Sequence, residues 1–171
     1  LLVLPIFLTI TKLNNSKYYI SAFLLAISIS ESLSYLIWLD IIEPFGSATV
    51  TESGLKNPTP LMSHISYNPF LAFAFYLVVN KLISGEKIFL TERVLYTFFA
   101  FTMSFNMFIT GGRAGQVMFF AAVVILSFQY FKTSQIKAII ISLLLTIFIT
   151  ISAYSFSDIF KYRINATVYS V

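Results

Sequence analysis

The sequence predicts an all-α fold, a polytopic bundle of transmembrane helices with about five full spans and a truncated first one. Three observations carry that expectation. Of 171 residues, 58% are hydrophobic and 11% charged, where soluble domains carry roughly a quarter charged residues. An apolar excess of this size cannot be hidden in one small domain, because about half of any folded surface still meets its solvent. The apolar residues also gather in stretches near the roughly 20 needed to cross a bilayer core as a helix. Finally, the alternating apolar and polar pattern of a membrane barrel is missing, which leaves helices as the way to satisfy every backbone group inside lipid.

The elements follow in order. Residues 1–11 are apolar but too short to span, and the chain opens on Leu1 without methionine or a charged leader; it reads as a piece of a longer membrane protein. Spans are expected over residues 18–39, 65–83, 94–109, 114–131 and 138–156. Between the first two of these, the loop 42–63 is polar and broken by Pro44, Gly46, Gly54, Pro58 and Pro60, which prevents a continuous helix. The tail 157–171 alternates aromatic and basic residues and suits a membrane surface. Residues 1–171 form a single transmembrane region with no second domain or internal repeat.

Charge gives the orientation. Alternate crossing places Lys12, Lys17, Lys81, Lys87, Arg93, Lys132 and Lys137 on one side, and Lys56, Arg113, Lys161 and Arg163 on the other. The richer side is expected to be cytoplasmic, so loop 42–63, the turn at Thr110 to Arg113 and the tail face outward. The net charge of +4 is scattered and points to no nucleic acid. Cysteine is absent, which excludes disulfides, thiolate metal sites and cysteine nucleophiles.

Polar residues that could carry chemistry are few. Thr110-Gly111-Gly112-Arg113-Ala114-Gly115 joins two spans. Its glycines allow a tight bend, a helix start offers free N–H groups, and a guanidinium adds a planar fork of donors, together a receptor for phosphate or diphosphate. The same residues have a plainer reading: Gly111 and Gly115 as a G-x-x-x-G packing pair, and Arg113 as a snorkelling boundary residue. His64, Tyr67 and Asn68 share one face of a first helical turn and are expected to present polar groups to the outer leaflet. Stripes at helical spacing, Ser21/Ser28/Glu31/Tyr35, Thr102/Asn106/Thr110 and Ser142/Thr146/Thr150, are expected to point into the bundle. An acid such as Glu31 inside a span is costly unless paired or protonated, so it is a functional candidate alongside a structural one. Arg163, in the tail, is a second cation for an anionic group if the fold brings it to Arg113.

The order of these features resembles the O-antigen ligase and polymerase superfamily of bacterial membrane glycosyltransferases. A long outer loop enters a helix through Ser63-His64-Ile65-Ser66-Tyr67. Two helices later comes a Thr-x-x-Arg pattern, here Thr110 to Arg113 followed by Ala114-Gly115. A stretch like Phe160-Lys161-Tyr162-Arg163-Ile164 then opens a large periplasmic loop. The resemblance implies a bacterial inner-membrane, multi-pass enzyme with its site facing the periplasm. Such an enzyme takes a glycan from an undecaprenyl-diphosphate donor and passes it to lipid A core or to another glycan. It implies Arg113, Gly111, Gly112 and Arg163 at the donor diphosphate, with His64, Tyr67 and Glu31 in support. No metal or cofactor is implied, since fixed cations can stabilise the departing diphosphate. The general base is expected in the large periplasmic loop beyond Val171, so the catalytic residue is unassigned and this piece alone is expected to be inactive. The rival expectation from the residues is a segment of a secondary transporter or channel that uses Glu31 and the polar stripes.

Overall fold

The computed structural model describes residues 16–50, 56–84, 88–157 and Lys161. The expected short first span over residues 1–11, and Arg163 with the end of the tail, lie outside the described residues. Within them run α1 Ser16–Trp38, β1 Thr49–Val50, β2 Lys56–Asn57, α2 His64–Ile83, α3 Leu90–Ile109, α4 Arg113–Tyr130 and α5 Gln135–Phe156. The fold is all-helical apart from the antiparallel β1–β2 pair inside loop 42–63, which pairs Thr49 with Asn57 and Val50 with Lys56.

Three stretches are long and apolar enough to cross a membrane: Lys17–Trp38, Arg113–Tyr130 and Gln135–Phe156. Helices α2 and α3 have 20 residues each, but Asn68, Asn80 and Lys81 in one, and Glu92, Arg93 and Asn106 in the other, lower their apolar character. Of these, Asn68 and Asn106 are the fully buried ones, on the faces where the bundle packs together.

Helix α2 is central. It packs most closely on α4 and then on α3, with α1 against α2 and α3 and α5 against α4. Its buried stripe is Tyr67, Asn68, Leu71, Ala72, Ala74, Phe75 and Val78, a helical repeat of three and four residues. Phe75 meets Phe119 of α4 with ring centroids 4.7 Å apart, and Phe108 of α3 meets the same ring edge-on at 5.7 Å. Lipid tails are as apolar as these side chains, so such contacts hold helices together by close packing rather than by escape from solvent. Helix α5 buries only Ala138, Ser142 and Ala153, and Leu143, Leu144 and Phe148 are exposed on its outer face, as lipid contact requires.

Helix α1 ends without glycine. Asp40 takes the left-handed conformation, φ 60°, while Ile41 N–H donates to the Leu36 carbonyl at 2.9 Å and Asp40 N–H to the Ile37 carbonyl at 3.2 Å. This is a Schellman stop, and aspartate is among the few non-glycine residues that tolerate it. Asp40 then forms an ion pair with Lys56 of β2, tying the end of α1 to the strand pair.

The polar stripes separate into two kinds. In α1, Glu31 is buried, Ser28 and Tyr35 half-buried, and Ser21 exposed; Ser30 and Ser34, outside the expected stripe, are buried as well. In α3, Thr102 is half-buried and Asn106 and Thr110 are buried, and they bond across helices: Tyr35 Oη donates to the Thr102 carbonyl at 2.6 Å, and Asn106 Nδ2 to Ser34 Oγ at 3.1 Å. In α5 the hydroxyls turn back on their own helix, Ser142 to the Ile139 carbonyl at 2.9 Å and Thr150 to the Thr146 carbonyl at 2.8 Å. That last stripe satisfies local backbone and lines no path.

Candidate functional site

One end of the bundle gathers the end of α1, the strand pair, the start of α2, the α3–α4 turn and the end of α5. There, Gly111 N–H reaches Asn57 of β2, and Ser157, just past α5, donates to the Phe108 carbonyl of α3 at 2.5 Å. Among the described cations, Lys56, Arg113 and Lys161 lie at this end. Lys17, Lys81, Arg93, Lys132 and Lys137 lie at or beside the helix ends opposite.

The Thr110–Arg113 turn is held by side-chain amides. Thr110 Oγ1 donates to Asn68 Oδ1 at 2.6 Å, and Asn68 Nδ2 points at the carbonyls of Thr110 and Gly112, 3.5 and 3.4 Å away. Gly111 N–H donates to Asn57 Oδ1 at 3.4 Å, and Asn57 Nδ2 lies 2.5 Å from His64 Nδ1. Because Asn57 offers its oxygen to Gly111, its nitrogen must donate to the histidine; Nδ1 is therefore the acceptor, and the ring proton belongs on Nε2. His64 is a structural partner of the strand pair, with its Nδ1 lone pair already engaged.

The glycines serve close approach between α2 and α4. A Cβ on Gly112 would stand 2.5 Å from Asn68 Nδ2 and 2.7 Å from the His64 carbonyl oxygen, and one on Gly115 would collide with the Asn68 Cβ and backbone. The packing pair is thus Gly112 and Gly115 rather than the expected Gly111 and Gly115. Tyr67 and Asn68 also correct an expectation: they do not face the outer leaflet but are 1% and 0% exposed, because their side of α2 is the one against which α3 and α4 pack.

Arg113 has the opposite placement. It is exposed at the first position of α4 and has no hydrogen bond or ion pair among the described residues. The N-cap, Gly112, supplies no side-chain cap, and the first helical bond is Gln116 N–H to the Gly112 carbonyl at 3.2 Å. The amides of Arg113, Ala114 and Gly115 precede it and have no acceptor within the helix. A guanidinium without a described partner, above a helix start with no side-chain cap, has the donor pattern that suits an anion.

Glu31 lies deeper, 3% exposed, with neither carboxylate oxygen hydrogen-bonded. No group of three His, Cys, Asp or Glu residues gathers among the described residues. Asn57 and Asn68, which hold the turn, were not singled out by sequence reasoning as its clamps: their partners are 54 and 42 positions away. The one available signal was Asn68 on the same helical face as His64.

Thr110→Val keeps the shape of the side chain but leaves Asn68 Oδ1 without its donor in a buried place. The expected cost is about 1–3 kcal/mol, visible as a lowered thermal midpoint of the purified protein in detergent.

No protein-family model, curated protein or solved structure matches this chain.

Proposed function

We propose that this chain is part of a bacterial inner-membrane glycosyltransferase of the O-antigen ligase or polymerase type, and that its Arg113 end binds the diphosphate of a lipid-linked glycan donor. The observation that carries the reading is the exposed, unengaged guanidinium on an uncapped helix start, beside a turn fixed by buried amides. A diphosphate offers the bidentate oxygen pattern that a guanidinium matches and an ammonium does not.

In this reading all five helices cross the membrane. The lysine-rich end is cytoplasmic by the positive-inside rule, which puts Arg113 at the periplasmic headgroup level. The groove between α3 and α5, about 520 Å³ and lined by Phe101, Phe105, Phe148 and Phe156, reaches Ile109 and Ser157 at the same end. It is long and apolar enough to shelter part of a polyprenyl tail. The acceptor is lipid A core or another glycan, and no described residue is assigned as the base that deprotonates it. Gly111 and Gly112 act by shaping the bend, and His64 by supporting it through Asn57.

The test is binding in lipid nanodiscs. Wild-type protein is expected to hold a polyprenyl diphosphate more tightly than the matching monophosphate, and Arg113→Ala to erase that difference. Equal binding of both lipids by both proteins overturns the proposal.

A further inference from the structure

The junction of α1, α2 and α3 holds two buried polar groups that make no well-formed hydrogen bond among the described residues. Both carboxylate oxygens of Glu31 and the hydroxyl of Tyr67 are unpartnered, and the two residues are 3% and 1% exposed. The Thr102 hydroxyl faces Glu31 and the Ser30 hydroxyl faces Tyr67, while Thr102 Oγ1 itself donates to the Phe99 carbonyl at 3.1 Å. A carboxylate in this setting is costly unless it takes up a proton or a cation accompanies it. The described Lys and Arg residues cannot serve, since all of them lie at or beyond the helix ends.

We propose that the Glu31–Tyr67 junction binds a sodium ion. The donor set is one carboxylate with neutral hydroxyl oxygens from Tyr67, Thr102 and Ser30, hard ligands that suit a hard cation. One carboxylate balances one positive charge, and a divalent ion would leave an excess charge inside the bundle. Thr102 and Asn106 on α3 and Thr110 just past its end form a buried polar column, continued sideways by Ser34 on Asn106 and by Asn68 on Thr110. At 1.5 Å per residue the column covers about 12 Å, from Glu31 to the turn at the charged end. The inference rests on Glu31 and Tyr67 and stands apart from the glycan-transfer reading, which rests on Arg113.

The experiment is thermal unfolding of the purified chain in detergent at fixed pH and fixed ionic strength, with sodium chloride exchanged stepwise for choline chloride. A ligand that binds only the folded state raises its midpoint by an amount that grows with the logarithm of its concentration once that exceeds the dissociation constant. The wild-type midpoint is expected to climb by several degrees as sodium replaces choline, rising with the logarithm of its concentration. Glu31→Gln should give a flat response, and Tyr67→Phe should need several-fold more sodium. Because Glu31→Gln changes a buried site, calorimetric titration of sodium into the wild-type protein in choline buffer provides a readout that needs no variant, and saturable binding is expected. No sodium dependence in the wild type, a midpoint that follows pH alone, or an equal response in a folded Glu31→Gln protein overturns the proposal.

Discussion

On the proposed glycan-transfer reading, Arg113→Ala is expected to cut transfer by about 10²–10³-fold, the usual effect of removing one fixed donor aimed at developing charge. The variant should still reach the membrane at its normal level, because the side chain is exposed and engages no described residue. That combination makes the result informative: lost surface polysaccharide on a gel, with unchanged protein on a blot, places the defect in chemistry rather than folding. Arg113→Lys should recover only part of the activity, since the ammonium restores the charge and not the paired donors. Unchanged polysaccharide in the alanine variant would remove Arg113 from the donor site.

Gly115 substitutions should fail in the opposite way. The Asn68 backbone occupies the space where a Cβ would stand, and backbone cannot swing aside as a flexible side chain can. Even Gly115→Ala must push α2 and α4 apart along their longest contact. Overpacking of this kind costs typically 1–3 kcal/mol, and here it also pulls Asn68 from Thr110. Gly115→Leu is expected to leave no folded protein. The measurements are the detergent melting midpoint and the amount of protein in the membrane, both of which Arg113→Ala should leave alone. A Gly115→Leu protein that folds normally would show that the helices do not meet as closely as described.

The described helices were legible in the sequence because lipid demands long apolar runs. Residues 65–83 become His64–Ile83 and 114–131 become Arg113–Tyr130, shifts of one residue at an end. Residues 18–39 become Ser16–Trp38 and 138–156 become Gln135–Phe156, and the largest shift is instructive. The run 94–109 begins four residues earlier, at Leu90, because Thr91, Glu92 and Arg93 continue the helix beyond its apolar part. Hydropathy does not register a polar first turn, although the Glu92 carboxylate accepts the Phe89 N–H there at 3.2 Å. The stop at Asp40 was hidden for a similar reason: no glycine marks it, and only the backbone shows the left-handed residue.

At the site, local features could be read and distant ones could not. The bend at Gly111-Gly112 and the cation beside it are contiguous in the chain, so their chemistry is visible at once. Which glycines face a neighbour depends on how α2 and α4 cross, which no single segment encodes. The depth of Tyr67 follows from the same crossing. In α1, counting from Ser28 along one face found Glu31 and Tyr35 but passed over Ser30 and Ser34, which are buried because α1 meets α2 and α3 together along a wider surface than one stripe.

The bend before Arg113 is clamped by neutral amides, Asn57 on Gly111 and Asn68 on Thr110, and by no ionic contact. Dissolved salt weakens attraction between exposed charges but has little hold on buried hydrogen bonds between uncharged groups. The shape of the receptor and its pull are therefore separate properties. The turn is held by the fold itself, so on the proposed reading capture of a headgroup would demand little further loss of conformational freedom.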